Sequence, residues 1–477
     1  MKLSSVPWIL RYRLLQPVLN WVVFIYHRFF RLSLQSVYRG MRQVAWILRW
    51  RIGYPVLKLF LPSFIVRALY PARSRGLIRF LKDRSVQSVP LRCFGHHSAD
   101  ADAPQTQIYA AARVAAPQAL MFPAHAGLSL SKADQDYDFP PTCVQTIRHA
   151  TVIGRSNMVF ADGVLQHHAL YRFSHDFTSE ELHGKIRISP ETSTVKRYEI
   201  SPKERLFDQA AMFLDSCSSN YAHWLTEVLP RINAYWNGLG QTDGASIKRR
   251  ICDDGQPMPL LLDDKLHPNI ENSLRAVVGQ HARVVRVANT EHVEVSQLMV
   301  TTPTGYVPFD RRSFKLQGHS EGVFSPTALQ QLRQHLSATL PEPSQPPPKK
   351  IFLKRNTKVR SMLNAESIET RLSQEGFTSV STELMSFAEQ FHTFSGADIV
   401  VGATGAAFAN LIFCKPNAKI VICIARFENT SYGYWQNLAC ASGNRVIYVL
   451  GKIPLRMVKG IHSDFVVDEA DLVSALA

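Results

Sequence analysis

The segment Asn220-Tyr-Ala-His223-Trp-Leu-Thr-Glu227-Val-Leu-Pro-Arg231 repeats polar side chains at helical spacing. At 100° per residue, Asn220, His223, Glu227 and Arg231 fall within an arc of about 80°, while Trp224, Leu225, Val228, Leu229 and Ile232 turn toward a core. An imidazole, a carboxylate and a guanidinium on one helix face could hold an acceptor hydroxyl, take its proton and bind an anion. The same spacing suits an i,i+4 ladder of surface ion pairs, and Pro230 predicts a kink that re-aims Arg231.

Two further stretches carry charge or small residues where a ligand could use them. The apolar run Lys350 to Leu353 reads as a strand and leads into Lys354, Arg355, Lys358 and Arg360, just ahead of Asn364. Cations at the end of such a strand suit a pyrophosphate, which Arg meets with a bidentate fork; an exposed basic loop is the alternative. In residues 395–424, Asp398 to Val401 reads as a buried strand, Gly402 to Gly405 as a tight turn and Ala406 to Phe413 as a helix. Lys419 to Ile424 then returns as a second strand. Gly402, Ala403, Gly405, Ala406 and Ala407 let a phosphate approach backbone N–H groups at a helix start. A purely structural strand-turn-helix is the alternative, since the spacing is neither a Walker loop nor a dinucleotide fingerprint.

The elements that must position these residues imply an α/β chain. Beyond the Pro-rich linker 341–348, strands and helices alternate, which predicts a parallel, doubly wound sheet over 349–450, followed by a tail, 451–477. Residues 86–340 read as a first α/β domain. Its short strands lie at 150–153, 158–161, 185–188, 284–287 and 298–301, and 99–116 reads as loop. His319 sits in a long Gly/Pro-containing connection, 302–326. Neither Asp100/Asp102 nor Asp134/Asp136/Asp138 follows an apolar strand, and His96-His97 and His167-His168 do not converge on one ion. No metal site is expected. The seven cysteines are scattered, without Cys-x-x-Cys spacing, and read as free thiols.

Of the net charge of +16, residues 1–85 carry +15 and the remaining chain +1. The longest uncharged run there, Leu14 to His27, is shorter than the roughly 20 apolar residues of a spanning helix, and no signal peptide is evident. Between Pro17 and Pro55 a helix would gather Arg28, Arg31, Arg39, Arg42 and Arg49 opposite Phe29, Phe30, Leu34 and Val37. Such a helix suits an anionic membrane surface; burial of its apolar face on the same chain is the alternative. No nucleic-acid motif accompanies the charge, so nucleic acid is not an expected partner.

Three motif blocks together resemble glycosyltransferase family 61, particularly its bacterial capsular-polysaccharide members. They are Asn220-x-x-His223-Trp224-x-x-Glu227-x-x-Pro230-Arg231; Arg355-x-x-x-x-Arg360-x-x-x-Asn364; and Phe387-x-x-Gln390 through Ala397-Asp398, Gly402, Gly405-Ala-Ala, Asn410 and Phe413. The resemblance implies a GT-B-like fold of two Rossmann-like domains, here behind a basic helical N-terminal segment. It also implies inverting transfer from a nucleotide sugar, with neither cofactor nor metal. By the same resemblance Arg355, Arg360, Asn364, Gly402, Thr404, Gly405, Ala406 and Asn410 would serve the donor. Asn220, Arg231 and His319 would lie on the acceptor side, and His223 and Glu227 would be catalytic, one of them as general base: Glu227 is preferred, with the reverse assignment the alternative. The implied setting is the cytoplasmic face of the inner membrane, with a glycan or lipid-linked acceptor. Thr404 stands where the family usually has His, and Ile422 or Cys423 where it usually has an acid. Those departures leave a non-catalytic scaffold relative as the alternative.

Overall fold

The computed structural model describes residues 87–93, 105–124, 136–167, 176–183, 185–189, 192–197, 205–238, 250–289, 291–309, 321–356, 359–427, 432–454 and 462–477. The basic segment 1–85, with its expected membrane helix, lies outside them, as do His319, His96, His97, His168, Asp100, Asp102 and Asp134. The compact unit spans Asp83–Ala477.

Strands β1 (Gln87–Cys93), β2 (Gln105–Tyr109), β3 (Ala112–Val114), β4 (Leu120–Phe122) and β5 (Tyr137–Phe139) open the chain. They are followed by β6 (Thr142–Ile153), β7 (Met158–Ala161), β8 (Val164–His167), β9 (Ile186–Ser189) and β10 (Thr194–Arg197). β2 and β3 fall inside the stretch 99–116 that the sequence presents as loop. β2 pairs antiparallel with β6 but buries only Tyr109 fully, so it shows little apolar signal. β3 and β5 form their own antiparallel pair, where Asp136 and Asp138 stand 3.5 and 3.6 Å from the Arg113 guanidinium.

Next come β11 (Arg205–Met212), β12 (Leu260–Asp263), β13 (Val284–Val287) and β14 (His292–Thr301). With β6 to β10, β1 and β2 they make an eleven-stranded mixed sheet, ordered β13-β12-β11-β14-β6-β7-β8-β1-β10-β9. Only β13-β12-β11-β14 is a run of successive parallel strands. Where a Rossmann-like half was expected, the first sheet has a four-strand parallel block with a largely antiparallel extension, because hairpins rather than helical crossovers join β6, β7 and β8.

After a short pair, β15 (Gly305–Tyr306) with β16 (Val323–Phe324), the chain builds its second sheet from β17 (Lys350–Leu353), β18 (Thr378–Val380), β19 (Ile399–Ala403), β20 (Lys419–Ala425) and β21 (Arg445–Gly451). The order β18-β17-β19-β20-β21-β4 is parallel throughout, and its last strand comes from far ahead of the Pro-rich stretch. The nearly unbroken apolar runs of β17, β19 and β20 follow from burial on both faces. Helices Ala365–Gln374 and Glu469–Leu476 contribute Ile368, Leu372 and Leu472 to the core on one face. On the other face, helices Phe387–Gly396 and Gly433–Ala441 meet helices Leu229–Asn237, Pro268–Val278 and Pro326–Thr339 from the first sheet in one shared core. Trp224 at its centre is fully buried and donates from Nε1 to Ser273 Oγ at 2.8 Å.

Strand order reverses between β11 and β14 in the first sheet and between β17 and β19 in the second. Crevices at the carboxyl ends of strands flanking such a reversal are where α/β sheets take ligands. The His-Glu segment follows β11, and the arginine and Gly-Ala-Ala segments follow β17 and β19.

Candidate active site

The segment after β11 is not one regular helix. Asn220 caps it, its side chain accepting from Ala222 N at 3.0 Å, so this residue completes the helix start rather than joining the polar face. One α-turn, Tyr221–His223, passes into a π-turn, Trp224–Val228, closed by Leu229 N–H on Trp224 O, before helix Leu229–Asn237 continues. Pro230 supplies the cause: it has no N–H for the Thr226 carbonyl, so the ladder widens by one residue there. The Thr226 carbonyl lies against Gly305, where an added Cβ would come 2.3 Å from Thr226 O.

That turn sets the dyad. His223 Nδ1 pairs with Glu227 Oε2. Glu227 Oε1 accepts from Val307 N at 2.9 Å, and Thr304 Oγ1 donates to the Glu227 carbonyl at 3.4 Å. Both carboxylate oxygens are thus engaged, while His223 Nε2 has no hydrogen-bond partner among the described residues. The Phe309 ring stacks on the imidazole, centroids 5.4 Å apart. This is the geometry of a base held by an orienting carboxylate.

The dyad opens on a pocket of about 480 Å³, its solvent-open mouth included, which also reaches Asp215, Arg231, Asn157, His167 and Ser179. Arg231 is buried, its Nη2 4.0 Å from Asp215 Oδ2, so the structure gathers His223, Glu227 and Arg231 at one pocket, and Pro230 does not turn Arg231 away from it. Burial, helped by the Glu227 charge, pushes the Asp215 carboxyl up to about 6, although Arg231 opposes this. Burial works to lower the His223 pKa, but the charge and hydrogen bond of Glu227 together with Asp215 outweigh it, and the net shift is upward. Behind the pocket, buried Glu180 is held down at about 2: burial would raise it, but His167 and the Asn157 N–H prevail.

Asp215, Asp263, Glu180 and Arg155 were not singled out from the sequence, nor was His167 as a pocket residue. Asp263 accepts from Asp215 N (2.9 Å), Ser218 Oγ (2.7 Å) and Arg155 N (2.6 Å), fixing the loop that precedes the dyad. Asp215 and Asp263 carried a legible signal, each being the first acid met at the end of an apolar strand. Glu180 and His167 carried none, because they come together from separate elements.

At the second reversal point, the Arg355 guanidinium lies over Gly405: an added Cβ would sit 1.9 Å from its Nη1. Arg355 Nε donates to Val359 O at 3.2 Å. Arg360 adopts φ 56°, and its buried Nε has no hydrogen-bond partner among the described residues. Burial and the neighbouring Arg360 lower the Arg355 pKa to about 10; Glu383 opposes this but is itself engaged by Asn356 Nδ2 at 2.7 Å. Two guanidiniums held together with so little counter-charge among the described residues could receive an anion. Ala406 is exposed beside them, opening a 3-10 helix, Ala406–Phe413, where an α-helix was expected.

The remaining expected donor residues turn elsewhere. Gly402 belongs to β19 rather than to the turn, and an added Cβ would meet Leu353 Cβ at 2.7 Å, so its smallness serves strand packing. Buried Thr404 accepts from Trp435 Nε1 at 3.1 Å. Asn364 is tied both ways to the backbone of Val467, at 2.8 and 3.1 Å. Asn410 is fully buried. Ile422 and Cys423 are buried on opposite faces of β20, in the shared core and the outer core respectively.

Residues 221–421 match the family model described as Glycosyltransferase 61. The chain carries a glycosyltransferase family 61 domain. It is therefore a glycosyltransferase, an enzyme class that uses a sugar donor and a glycan acceptor. The matched range holds the dyad, both arginines and the Gly405 turn, whereas the pocket wall at Asn157, His167 and Ser179 lies ahead of it. No curated protein sequence matches the chain. Among the described residues no helix is long and apolar enough to cross a membrane, and no cluster of three metal-ligating side chains occurs.

In this family 61 domain, Gly305→Ala should drive the 304–307 loop off the Thr226 carbonyl and break the Val307–Glu227 bond. Turnover is expected to fall about 100-fold, a loss on the scale of misplacing a catalytic group, with the thermal midpoint changed by only a few degrees. Steady-state kinetics beside a melting curve checks this, and unchanged turnover would show that the contact does not hold the dyad.

Proposed function

We propose that this glycosyltransferase moves a sugar from a nucleotide sugar to a hydroxyl of a glycan or lipid-linked acceptor, with inversion at the anomeric carbon. The two parallel blocks are read as the Rossmann-like domains of a GT-B architecture. The observation that carries the reading is the pairing of unlike sites at two reversal points: arginines short of counter-charge at one, a base with its orienting carboxylate at the other.

In this reading Arg355 and Arg360 hold the donor diphosphate, with the backbone at Ala406 approaching it over Gly405. Their two positive charges offset those of the leaving diphosphate, so the reaction is assigned no metal. His223 Nε2 takes the acceptor hydroxyl proton as that oxygen bonds to the anomeric carbon. The bond from that carbon to the diphosphate oxygen breaks, and its electron pair leaves with the diphosphate. Glu227 keeps Nδ1 protonated and stabilises the imidazolium. This exchanges the roles that the family resemblance favoured, because both Glu227 oxygens already have partners.

The product is assigned to a bacterial surface or capsular polysaccharide or glycolipid, on the family resemblance. The +15 charge of residues 1–85 supports work at the anionic face of the inner membrane.

Calorimetric titration with uridine, guanosine, cytidine and adenosine diphosphates should find one that binds. Arg355→Ala with Arg360→Ala should weaken it at least about 100-fold, the loss of two charge-assisted contacts; no binding across the panel would refute the donor site. Turnover should rise with pH through an apparent pKa above the ordinary 6.5 of histidine. Glu227→Gln should move that limb to lower pH, since it removes the charge that favours the imidazolium. His223→Gln should abolish the limb and cost about 10²- to 10⁴-fold; near-normal turnover would remove His223 as the base. The full chain should sediment with phosphatidylglycerol vesicles at low salt and stay in solution with phosphatidylcholine. Failure to sediment with either would remove the membrane assignment.

A further inference from the structure

Asn410 belongs to a buried chain of hydrogen bonds that joins the two reversal points. Its side chain is fully buried, and its amide is consumed by the protein. Oδ1 accepts from the Tyr221 hydroxyl at 3.0 Å, and Nδ2 donates to Gln390 Oε1 at 3.0 Å and to Ala407 O at 3.1 Å. Gln390, equally buried, donates from Nε2 to Thr382 O at 3.0 Å and to Met385 O at 3.3 Å.

The ends of this chain are informative. Tyr221 sits in the helical turn that carries His223. Ala407 lies in the first turn of the helix whose cap, Gly405, supports Arg355. Thr382 and Met385 bracket Glu383, a carboxylate whose charge acts on Arg355. Phe387, Phe408, Leu411 and Trp224 belong to the core shared by the two sheets, which supplies cohesion without direction. Apolar side chains of similar size would cohere as well, whereas satisfied polar chains add a preferred geometry to a core.

We propose that Tyr221, Asn410 and Gln390 form a positioning strut that fixes the His223 turn relative to the anion site at Gly405, and that Tyr221 is a positioning residue for sugar transfer. The transfer part rests on the function proposed above; the strut itself does not. Asn410 is thereby a connector between donor and acceptor sides rather than a donor contact.

Hydrogen exchange on the full chain, free of ligand, tests the strut. Gln390→Leu should raise exchange across residues 220–229 about tenfold, the scale of one lost buried hydrogen bond. Tyr221→Phe should do the same, and the double variant should exceed neither, while strands β6 to β8 keep wild-type exchange. Additive effects, or a Gln390→Leu effect confined to residues 380–396, would overturn the strut.

The functional arm uses the nucleoside diphosphate that binds wild type best and its nucleotide sugar. Tyr221→Phe should keep affinity for the diphosphate within about twofold and lower its release from the sugar nucleotide at least tenfold at unchanged KM, since only alignment is lost. Unchanged release, or lost diphosphate affinity, would overturn the positioning role. A wild type that binds no nucleoside diphosphate refutes the donor reading alone, and the exchange arm then decides the strut.

Discussion

The missing N–H of Pro230 shapes the site more than any hydrogen bond present in it. An unbroken α-helix would seal the Thr226 carbonyl within its own ladder. With no donor at position 230 the turn widens, and the carbonyl faces the loop after β14. Only a glycine lets that loop come close, and its approach brings Val307 N to Glu227. The carboxylate is then fixed from two sides, and the imidazole it holds is fixed with it. A sequence feature that usually interrupts helices here opens a place for catalytic side chains.

The two sites answer burial in opposite ways. Around the dyad, Asp215, Glu227, Glu180 and Asp263 are set against Arg231, His223, His167 and Arg155, so each charge meets a counter-charge or several hydrogen bonds. Burial there is compensated within the protein, and the outcome is a tuned imidazole. Around Arg355 and Arg360 compensation among the described residues is incomplete: the two guanidiniums repel one another, and Glu383, the carboxylate acting on Arg355, is engaged by Asn356. In the function proposed above, a bound diphosphate completes this cationic cradle, and the two sites serve the two halves of the group transfer.

Much of the fold and part of the site were legible in the chain. The alternation beyond the linker implied a parallel sheet, since buried parallel strands must be apolar on both faces, and β17, β19 and β20 are. His223, Glu227 and Arg231 lie close in sequence, so helical periodicity nearly sufficed to bring them together. β2 stayed hidden because an exposed edge strand carries little apolar signal, and β4 because three residues cannot announce which sheet they will join. Gly402, Thr404, Asn364 and Asn410 were recognisable as a set, yet their partners, Leu353, Trp435, Val467 and Tyr221, come from other parts of the chain.

The sequence by itself determined residue chemistry and local period: a His-Glu pair at one helical turn, cations at a strand end, small residues at a βα turn, and a family to which these belong. Tertiary structure alone decided which atom of each group is available. Glu227 loses both oxygens to Val307 and His223, leaving Nε2 as the open atom of the pair. Asn410 loses its amide to Tyr221, Gln390 and Ala407. The physical reason is that a hydrogen-bonding group is defined by where its lone pairs and protons go, and those destinations lie many residues away along the chain.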